Sequence, residues 1–209
     1  MTSSTRQRSP RVYIAVLAAG QSRRFGANKL LQHWQGETLL RRALNAACAA
    51  CGARTLLVTG HDHLEISNAA APFPGFIAHN ADFAAGIGTS IATAAAALQH
   101  VADAILIVLA DQPLVSSEHL AAMMAAWSGD PRQVIASRYA GIVGAPVLLP
   151  AGTFRELLQL RGDIGARAIL RDDRFTVQSL DFEPAALDVD TPEDLEQRSQ
   201  LTQPESPST

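Results

Sequence analysis

Short apolar runs rich in β-branched residues alternate along this chain with longer amphipathic stretches rich in alanine and leucine. The short runs predict buried strands, and the longer stretches predict helices. Such alternation is typical of repeated strand–helix units built around a mostly parallel sheet. We therefore predict an α/β, three-layer Rossmann-like fold in which helices cover both faces of a mostly parallel central sheet.

The predicted elements follow one another without an internal repeat or an interdomain linker. Strands are expected at 12–17, 56–59, 76–79, 105–109, 134–137, 146–149 and 175–180. Helices are expected at 37–51, 91–99, from the Ser116 cap to about 127, and at 153–160, 164–170 and 192–198. The segment 80–90, which contains several glycines, is predicted to be a loop.

The length and composition favour one folded domain. A chain of 209 residues with 47% hydrophobic residues can bury a sizeable core. Residues 1–10 and 199–209 are rich in small polar residues and cannot bury enough apolar surface to become ordered. We expect a single domain at 11–198 between two mobile tails.

The charge pattern argues against macromolecular and membrane ligands. The net charge is −3, and the arginines are scattered rather than gathered into a basic stripe or a polybasic patch. The longest apolar stretches, such as 104–110, are too short to cross a bilayer, and the N-terminus lacks the apolar core of a signal peptide. We expect a cytoplasmic protein that acts on small molecules and binds neither nucleic acid nor membranes.

Two cysteines and two histidines have spacings that could suggest a metal site. Cys48 and Cys51 lie in a predicted helix, where a spacing of three puts both on one face, and without a second pair they are interpreted as small buried residues. His61 and His63 alternate on a segment that follows a strand. They are interpreted as solvated loop histidines rather than ligands.

A single lysine, Lys29, stands against sixteen arginines in the chain. It closes the segment 17–29, which directly follows the first predicted strand, where open α/β sheets place their ligands. Small residues and glycines in this segment leave backbone amides accessible, while Arg23, Arg24 and Lys29 bring positive charge. The segment predicts a polyphosphate cradle, and it lacks the spacings of a Walker A loop and of G-x-G-x-x-G.

Aspartates near two other predicted elements are candidate metal ligands. Asp111 follows the buried strand 105–109, and a carboxylate at such a strand tip can hold Mg²⁺ together with substrate phosphates. The alternative for Asp111 is a turn or capping role. Asp188 and Asp190 alternate, so they should project to opposite faces of an extended segment. We predict Asp111 and Asp190 as metal ligands, with Asp188 as the alternative to Asp190.

Five motifs in order resemble the MobA-like nucleotidyltransferases over about 12–195. They are LAAG at 17–20 with the loop to Lys29, the segment from Asn80 through Gly86 to Ser90, LADQP at 109–113, GDIGAR at 162–167, and DVDTPEDL at 188–195. The resemblance is strongest to the molybdenum cofactor cytidylyltransferase branch, because LAAG is more similar to the cytidylyl side than to the guanylyl side. It implies the nucleotidyltransferase fold and transfer of CMP from CTP to molybdopterin, with release of pyrophosphate and with Mg²⁺ as cofactor.

The resemblance also implies roles for individual residues. Nucleotide contacts are expected at Leu17, Ala18, Ala19, Gly20, Asn80, Gly86 and Ser90. Phosphate-side catalytic charges are expected at Arg23 and Lys29, and acceptor contacts at Gly144, Pro146, Asp163 and Arg167. A molybdoenzyme or its maturation chaperone is the partner that the resemblance implies.

Two alternatives remain open at the level of the sequence. One is an enzyme of the same class that uses another nucleotide or another phosphorylated acceptor, such as a guanylyltransferase. The other is a cofactor-binding chaperone that delivers a finished cofactor without chemistry.

Overall fold

The computed structural model of the chain describes residues 10–21, 25, 28–189, 191 and 193–195. Within these residues, seven strands form one sheet in the order β5-β4-β1-β6-β8-β7-β9. The strands of this sheet are β1 (Val12–Ala18), β4 (Thr55–Thr59), β5 (Phe76–His79), β6 (Ala104–Leu109), β7 (Gln133–Tyr139), β8 (Ile142–Pro150) and β9 (Thr176–Asp181). A separate small hairpin pairs β2 (His33–Trp34) with β3 (Glu37–Thr38).

The sheet is mostly parallel, as predicted. β1 pairs in parallel with both β4 and β6, β4 with β5, and β7 with β9. β8 runs antiparallel to both of its neighbours, β6 and β7. The carboxyl ends of β1, β4, β5, β6 and β7 therefore lie at one edge of the sheet.

Helices cover both faces of the sheet. They are α1 (Leu39–Cys51), α2 (His63–Ala70), α3 (Ile87–Leu98), α4 (Ser117–Ala126), α5 (Phe154–Leu157) and α6 (Arg167–Leu170). Successive residues of β1 enter opposite hydrophobic clusters: Ile14 and Val16 pack toward α1 and α4, while Ala15 and Leu17 pack toward α3 and α5. This burial of both faces explains the uninterrupted apolar strands. The predicted three-layer α/β fold is confirmed.

Several predicted boundaries are wrong. α3 begins at Ile87 rather than at 91, so the last four residues of the predicted loop 80–90 form its first turn. The helix predicted from 37 begins at Leu39, because Thr38 closes the small hairpin and its hydroxyl caps α1 by accepting a hydrogen bond from the Arg41 amide. The helices predicted at 153–160 and 164–170 are reduced to single α-turns, α5 and α6, beside the 3₁₀ turns 151–153 and 162–164.

The sequence patterns missed two local elements. α2 was not predicted, and it places Ile66 and Ala70 in the core. The β2–β3 hairpin was also missed; its Trp34 is fully buried in the same core. Elements this short depend on tertiary packing for their stability.

Apart from residue 10, the two predicted tails lie outside the described residues. Of the predicted last helix, residues 193–195 are described, and they are helical. No helix in the described part of the chain is long and apolar enough to cross a membrane.

Candidate functional site

An open cleft of about 400 Å³ lies beyond the carboxyl ends of β1 and β6. Its walls come from the segment after β1, the 3₁₀ turn 83–85, the start of α3 and the tip of β6. The lining residues are Leu17, Ala19, Gly20, Gln21, Phe83, Ala84, Gly86, Ile87, Ser90, Leu109, Asp111 and Asp163. The cleft is therefore at the edge where open α/β sheets bind ligands.

The predicted nucleotide segment divides between cleft and core. Leu17, Ala19 and Gly20 line the cleft, whereas Ala18 is 2% exposed and packs in the core. Gly20 is exposed, and a Cβ added to it would meet nothing within 4 Å. Three of the four residues therefore line the cleft, and Ala18 supports them from below.

Lys29 and Asp111 meet at the mouth of the cleft. The Lys29 Nζ donates a hydrogen bond to the Asp111 Oδ2 at 2.7 Å, and both side chains are largely buried. Lys29 opens a 3₁₀ turn, Lys29–Leu31, whose first amides are capped by Asn28, since its Oδ1 accepts a hydrogen bond from the Leu30 amide at 3.1 Å. The two residues that the sequence singled out for opposite charges are thus in direct contact.

Asn80 contacts a residue that lines the cleft. It is 2% exposed, and its Nδ2 donates hydrogen bonds to the Thr89 and Ser90 hydroxyls at 2.9 and 3.0 Å. Its Oδ1 accepts a hydrogen bond from the Asp82 amide. With its amide engaged in this way, Asn80 orients Ser90, which lines the cleft in the first turn of α3.

Gly86 allows two predicted segments to touch. Its φ is +101°, and a Cβ at this position would lie 2.4 Å from the Gly162 carbonyl carbon and 2.5 Å from the Asp163 carboxylate. Only glycine fits this combination of left-handed backbone and close approach. Asp163, predicted as an acceptor contact, consequently lines the same cleft as the nucleotide segment.

Two of the other predicted acceptor residues, Gly144 and Arg167, lie near Tyr139 at the carboxyl end of β7. A Cβ on Gly144 would lie 2.9 Å from the Tyr139 hydroxyl, so this glycine makes room for the ring. Burial is the main cause that raises the pKa of Tyr139, followed by the negative charge of Asp188, and the positive charge of Arg167 opposes these effects. Pro146 lies in β8, and its carbonyl accepts a hydrogen bond from the Ser137 hydroxyl.

Sequence reasoning did not single out Tyr139 and Gln112, which lie next to predicted site residues. Gln112 is 2% exposed, and its Nε2 donates a 2.8 Å hydrogen bond to the Ala185 carbonyl. Its Oε1 is buried without a hydrogen-bond partner among the described residues, while its amide side chain lies beside the Tyr139 hydroxyl. Few buried polar side-chain atoms in proteins lack a hydrogen-bond partner. The LADQP motif could have signalled Gln112.

The segment 188–189 lies against the tip of β6. The Val189 amide donates a hydrogen bond to the Asp111 carbonyl at 3.1 Å, and the charges of Asp188 and Asp111 both raise the pKa of Tyr139. This places Asp188, the alternative metal ligand of the sequence analysis, beside the cleft. Asp190 and Arg23 lie outside the described residues.

The described carboxylates offer a partial metal site. Within the described ranges, no group of three or more His, Cys, Asp and Glu side chains could hold a metal by itself. Magnesium, however, is usually bound by one or two carboxylates together with substrate phosphates and waters. Asp111 already accepts a hydrogen bond from the Lys29 ammonium, so a cation that arrives with a phosphorylated substrate would share this carboxylate with Lys29 or displace it.

A buried histidine contacts Ser137, the neighbour of the predicted acceptor residue Pro146. His119 of α4 is 8% exposed, stacks on Phe182 with ring centroids 3.7 Å apart, and has its Nε2 2.8 Å from the Ser137 hydroxyl. Ser137 in turn bonds to the Pro146 carbonyl at 3.0 Å. Burial lowers the pKa of His119 to about 4, so its ring is neutral at physiological pH.

The histidines and cysteines set aside by the sequence analysis have other partners. His63 is not a loop residue: it opens α2, its Nδ1 lies 2.7 Å from the Thr59 hydroxyl, and its ring stacks on His79. His61 packs edge-on against Phe83. Cys51 is buried in the core and Cys48 is half-buried, and both are free thiols.

Comparison with known proteins gives one family and several relatives. The model of the MobA-like NTP transferase domain matches residues 14–179. "Purine catabolism protein PucB" of Bacillus subtilis (strain 168) is 30% identical over 202 residues, which cover 90% of this chain and 96% of that protein. "Molybdenum cofactor cytidylyltransferase" of Escherichia coli (strain K12) is 29% identical over 182 residues, which cover 86% and 91%.

A solved structure is similar to this chain in both fold and sequence. The crystal structure of Rv0371C in complex with manganese, from Mycobacterium tuberculosis H37Rv, superimposes with a TM-score of 0.74 at 27% identity. The match covers 92% of this chain and 100% of that one.

Proposed function

This chain belongs to the MobA-like NTP transferase family, and on that premise we propose that it transfers CMP from CTP to the phosphate of molybdopterin and releases pyrophosphate. The contact between Lys29 and Asp111 at the mouth of the cleft carries the proposal. It brings a cation suited to a departing pyrophosphate against a carboxylate suited to a metal ion.

The cleft would hold the nucleotide. Leu17, Ala19 and Gly20 line it from one side, and Gly86 with Ser90 at the start of α3 lines it from the other. Free amides at a helix start and after a strand favour phosphate oxygens and base carbonyl groups. The likeness to the Escherichia coli cytidylyltransferase supports cytosine as the base.

Lys29 would neutralise the charge that develops on the leaving group. When the bond between the α- and β-phosphates breaks, negative charge accumulates on the departing pyrophosphate. A preorganised cation at that position stabilises the transition state more than the ground state. We propose Arg23, six residues earlier in the chain, as a second such cation.

A divalent metal fits the carboxylate side of the site. The manganese complex of Rv0371C supports a divalent ion, and we propose Mg²⁺ held by Asp111 together with Asp190 or Asp188. When bound, the ion would polarise phosphate oxygens and offset their charge. The near approach of Asp188 and Asp111 to Tyr139 supports the concentration of negative charge that such an ion requires.

The acceptor would approach from the β7–β8 side. Its phosphate is already anionic at neutral pH, so the chain needs no general base to activate it. We propose that the Tyr139 hydroxyl donates a hydrogen bond to that phosphate while Arg167 supplies positive charge, beside Gly144 and Pro146. Asp163 lies on the nucleotide side of the cleft, where it would hold the turn 162–164 against Gly86. Catalysis would then be mainly alignment and electrostatics.

The domain and partners follow from this proposal. One sheet from β1 to β9 supports a single domain over 11–198. The product would be handed to a molybdoenzyme or to its maturation chaperone.

Pyrophosphate release tests the function directly. The purified chain with Mg²⁺ and molybdopterin should release pyrophosphate fastest with CTP among CTP, GTP, ATP and UTP. Faster release with GTP would overturn the cytidylyl assignment. No release with any of the four would overturn enzymatic transfer to molybdopterin and would favour a carrier.

A further inference from the structure

A carboxylate on a neighbouring element holds the loop that carries Lys29. The Asn28 Nδ2 donates a hydrogen bond to the Asp62 Oδ2 at 3.1 Å, across 34 positions of sequence. The Oδ1 of the same Asn28 side chain caps the Lys29–Leu31 turn through the Leu30 amide. A continuous line of contacts therefore runs from Asp62 through Asn28 and the Lys29–Leu31 turn to Asp111.

Asp62 occupies an unusual position for this contact. It is the N-terminal cap of α2, yet within the described residues its side chain makes no capping hydrogen bond. Its backbone is left-handed, with φ 54° and ψ 34°. A capping aspartate normally accepts a hydrogen bond from an amide of the first helical turn, and few non-glycine residues have a left-handed backbone. The carboxylate of Asp62 is thus directed away from the local capping position and toward Asn28.

The residues just before Asp62 contact the nucleotide segment. Gly60, two residues before Asp62, packs closely against Phe83 and Ala19. A Cβ at Gly60 would lie 2.6 Å from the Phe83 Cβ and 2.7 Å from the Ala19 Cβ. The His61 amide bonds to the Ala19 carbonyl, and the His61 Nδ1 lies 2.8 Å from the Asp62 Oδ2. Asp62 is therefore fixed relative to two walls of the cleft, Ala19 and Phe83.

We propose that Asp62 is a positioning residue that acts through Asn28 to hold Lys29 at the phosphate side of the cleft. The inference rests on the nucleotidyl transfer proposed above and adds a residue to it. Lysine has a flexible stem, so its charge is useful to a transition state only when its backbone is fixed. The hydrogen bonds between Asp62 and Asn28, and between Asn28 and the Lys29–Leu31 turn, fix the backbone of Lys29 from the start of α2.

An exchange of the two side chains separates positioning from simple loss of structure. Asn28→Asp keeps an oxygen that can cap the Leu30 amide, but it sets two carboxylates against each other. We expect kcat for pyrophosphate release to fall about 10- to 100-fold, because a misplacement of a catalytic group by about 1 Å can cost about 100-fold. The exchange N28D/D62N restores a donor facing a carboxylate, and asparagine tolerates the left-handed region, so kcat should return to within about threefold of the wild type.

A second background tests whether the effect passes through Lys29. If it does, Asn28→Asp should reduce kcat by less than about twofold in a Lys29→Ala protein, because the group being positioned is gone. A full additive loss in that background would overturn the proposal. Asp173→Asn provides the matched control: this exposed aspartate precedes β9 at the opposite edge of the sheet, and its substitution should leave kcat unchanged.

The outcomes distinguish this inference from the function on which it rests. Pyrophosphate release by the wild type sustains the function whatever the variants do. Undiminished kcat in Asn28→Asp, or failure of N28D/D62N to recover while remaining folded by circular dichroism, overturns the inference alone. Absence of release by the wild type with every nucleotide overturns both.

Discussion

Lys29 and Asp111, separated by 82 positions in the sequence, are joined by a 2.7 Å hydrogen bond between the ammonium and a carboxylate oxygen. The Lys29 side chain is 12% exposed and that of Asp111 is 25% exposed. The ammonium thus sits against the carboxylate that we propose as a metal ligand. A phosphate bound in the cleft would compete with Asp111 for the Lys29 ammonium, so the reach of this side chain matters as well as its charge.

Replacement of Lys29 should impair transfer in two distinguishable ways. Lys29→Ala removes the cation and leaves Asp111 without this partner, and we expect kcat/KM for CTP to fall about 10²- to 10³-fold, as for loss of one transition-state donor. Lys29→Arg keeps the charge, but the wider fork cannot follow the same path, so a smaller loss of at least about tenfold is expected. Arg132→Ala, at an exposed position before β7, is the control. Full activity of Lys29→Arg would show that charge alone suffices.

Asp111 should control the metal requirement. Asp111→Asn keeps the shape of the side chain and removes its charge, so it should raise the Mg²⁺ concentration for half-maximal pyrophosphate release by about tenfold or more. Chelation with EDTA should abolish release by the wild type, and excess Mg²⁺ or Mn²⁺ should restore it. A metal titration of the Asp111→Asn protein identical to that of the wild type would contradict the assignment.

Tyr139 should affect the acceptor and not the nucleotide. Burial, followed by the charge of Asp188, raises the pKa of its hydroxyl, so at neutral pH the group is protonated and can donate a hydrogen bond. Tyr139→Phe should raise the KM for molybdopterin about tenfold, the size expected for a lost hydrogen bond to a charged group. The KM for CTP should not change. Tyr13→Phe, on β1, is the matched control, and an equal rise of both KM values in Tyr139→Phe would contradict an acceptor role.

His119 should make the fold sensitive to mild acid. Burial lowers its folded-state pKa to about 4 from the ordinary 6.5, so the unfolded chain binds the proton first as pH falls. The stability that comes from keeping this ring neutral is complete above about pH 6.5 and is lost progressively toward about pH 4, to a total of about 3 kcal/mol. Urea unfolding at about pH 7.5 and about pH 5 should reveal this loss.

The matched variants isolate His119 from the other groups that titrate in this range. In His119→Gln the difference in the free energy of unfolding between the two pH values should shrink by about 1–2 kcal/mol. His100→Gln, at an exposed position after α3, should leave it unchanged. An unchanged difference in His119→Gln would show that other groups account for the acid sensitivity.

The sequence by itself determined the architecture and the two central charges of the candidate site. Strands such as 12–18 and 104–109 are apolar on every residue, which only burial on both faces explains, so a mostly parallel layered sheet followed. Lys29 and Asp111 could be proposed because each comes shortly after such a strand, and carboxyl ends of parallel strands meet at one edge.

Only the tertiary structure decided the contacts that depend on the meeting of distant segments. The start of α3 at Ile87 rests on Gly88, which admits the backbone of Arg161, and α2 rests on the burial of Ile66. Tyr139 lies beside Gly144, and Asp62 accepts a hydrogen bond from Asn28. Neither contact produces a local pattern in the sequence, because neither depends on periodicity or capping. Local sequence patterns predict how one segment folds. These contacts depend on the distance between two segments, and that distance is fixed only when the sheet packs.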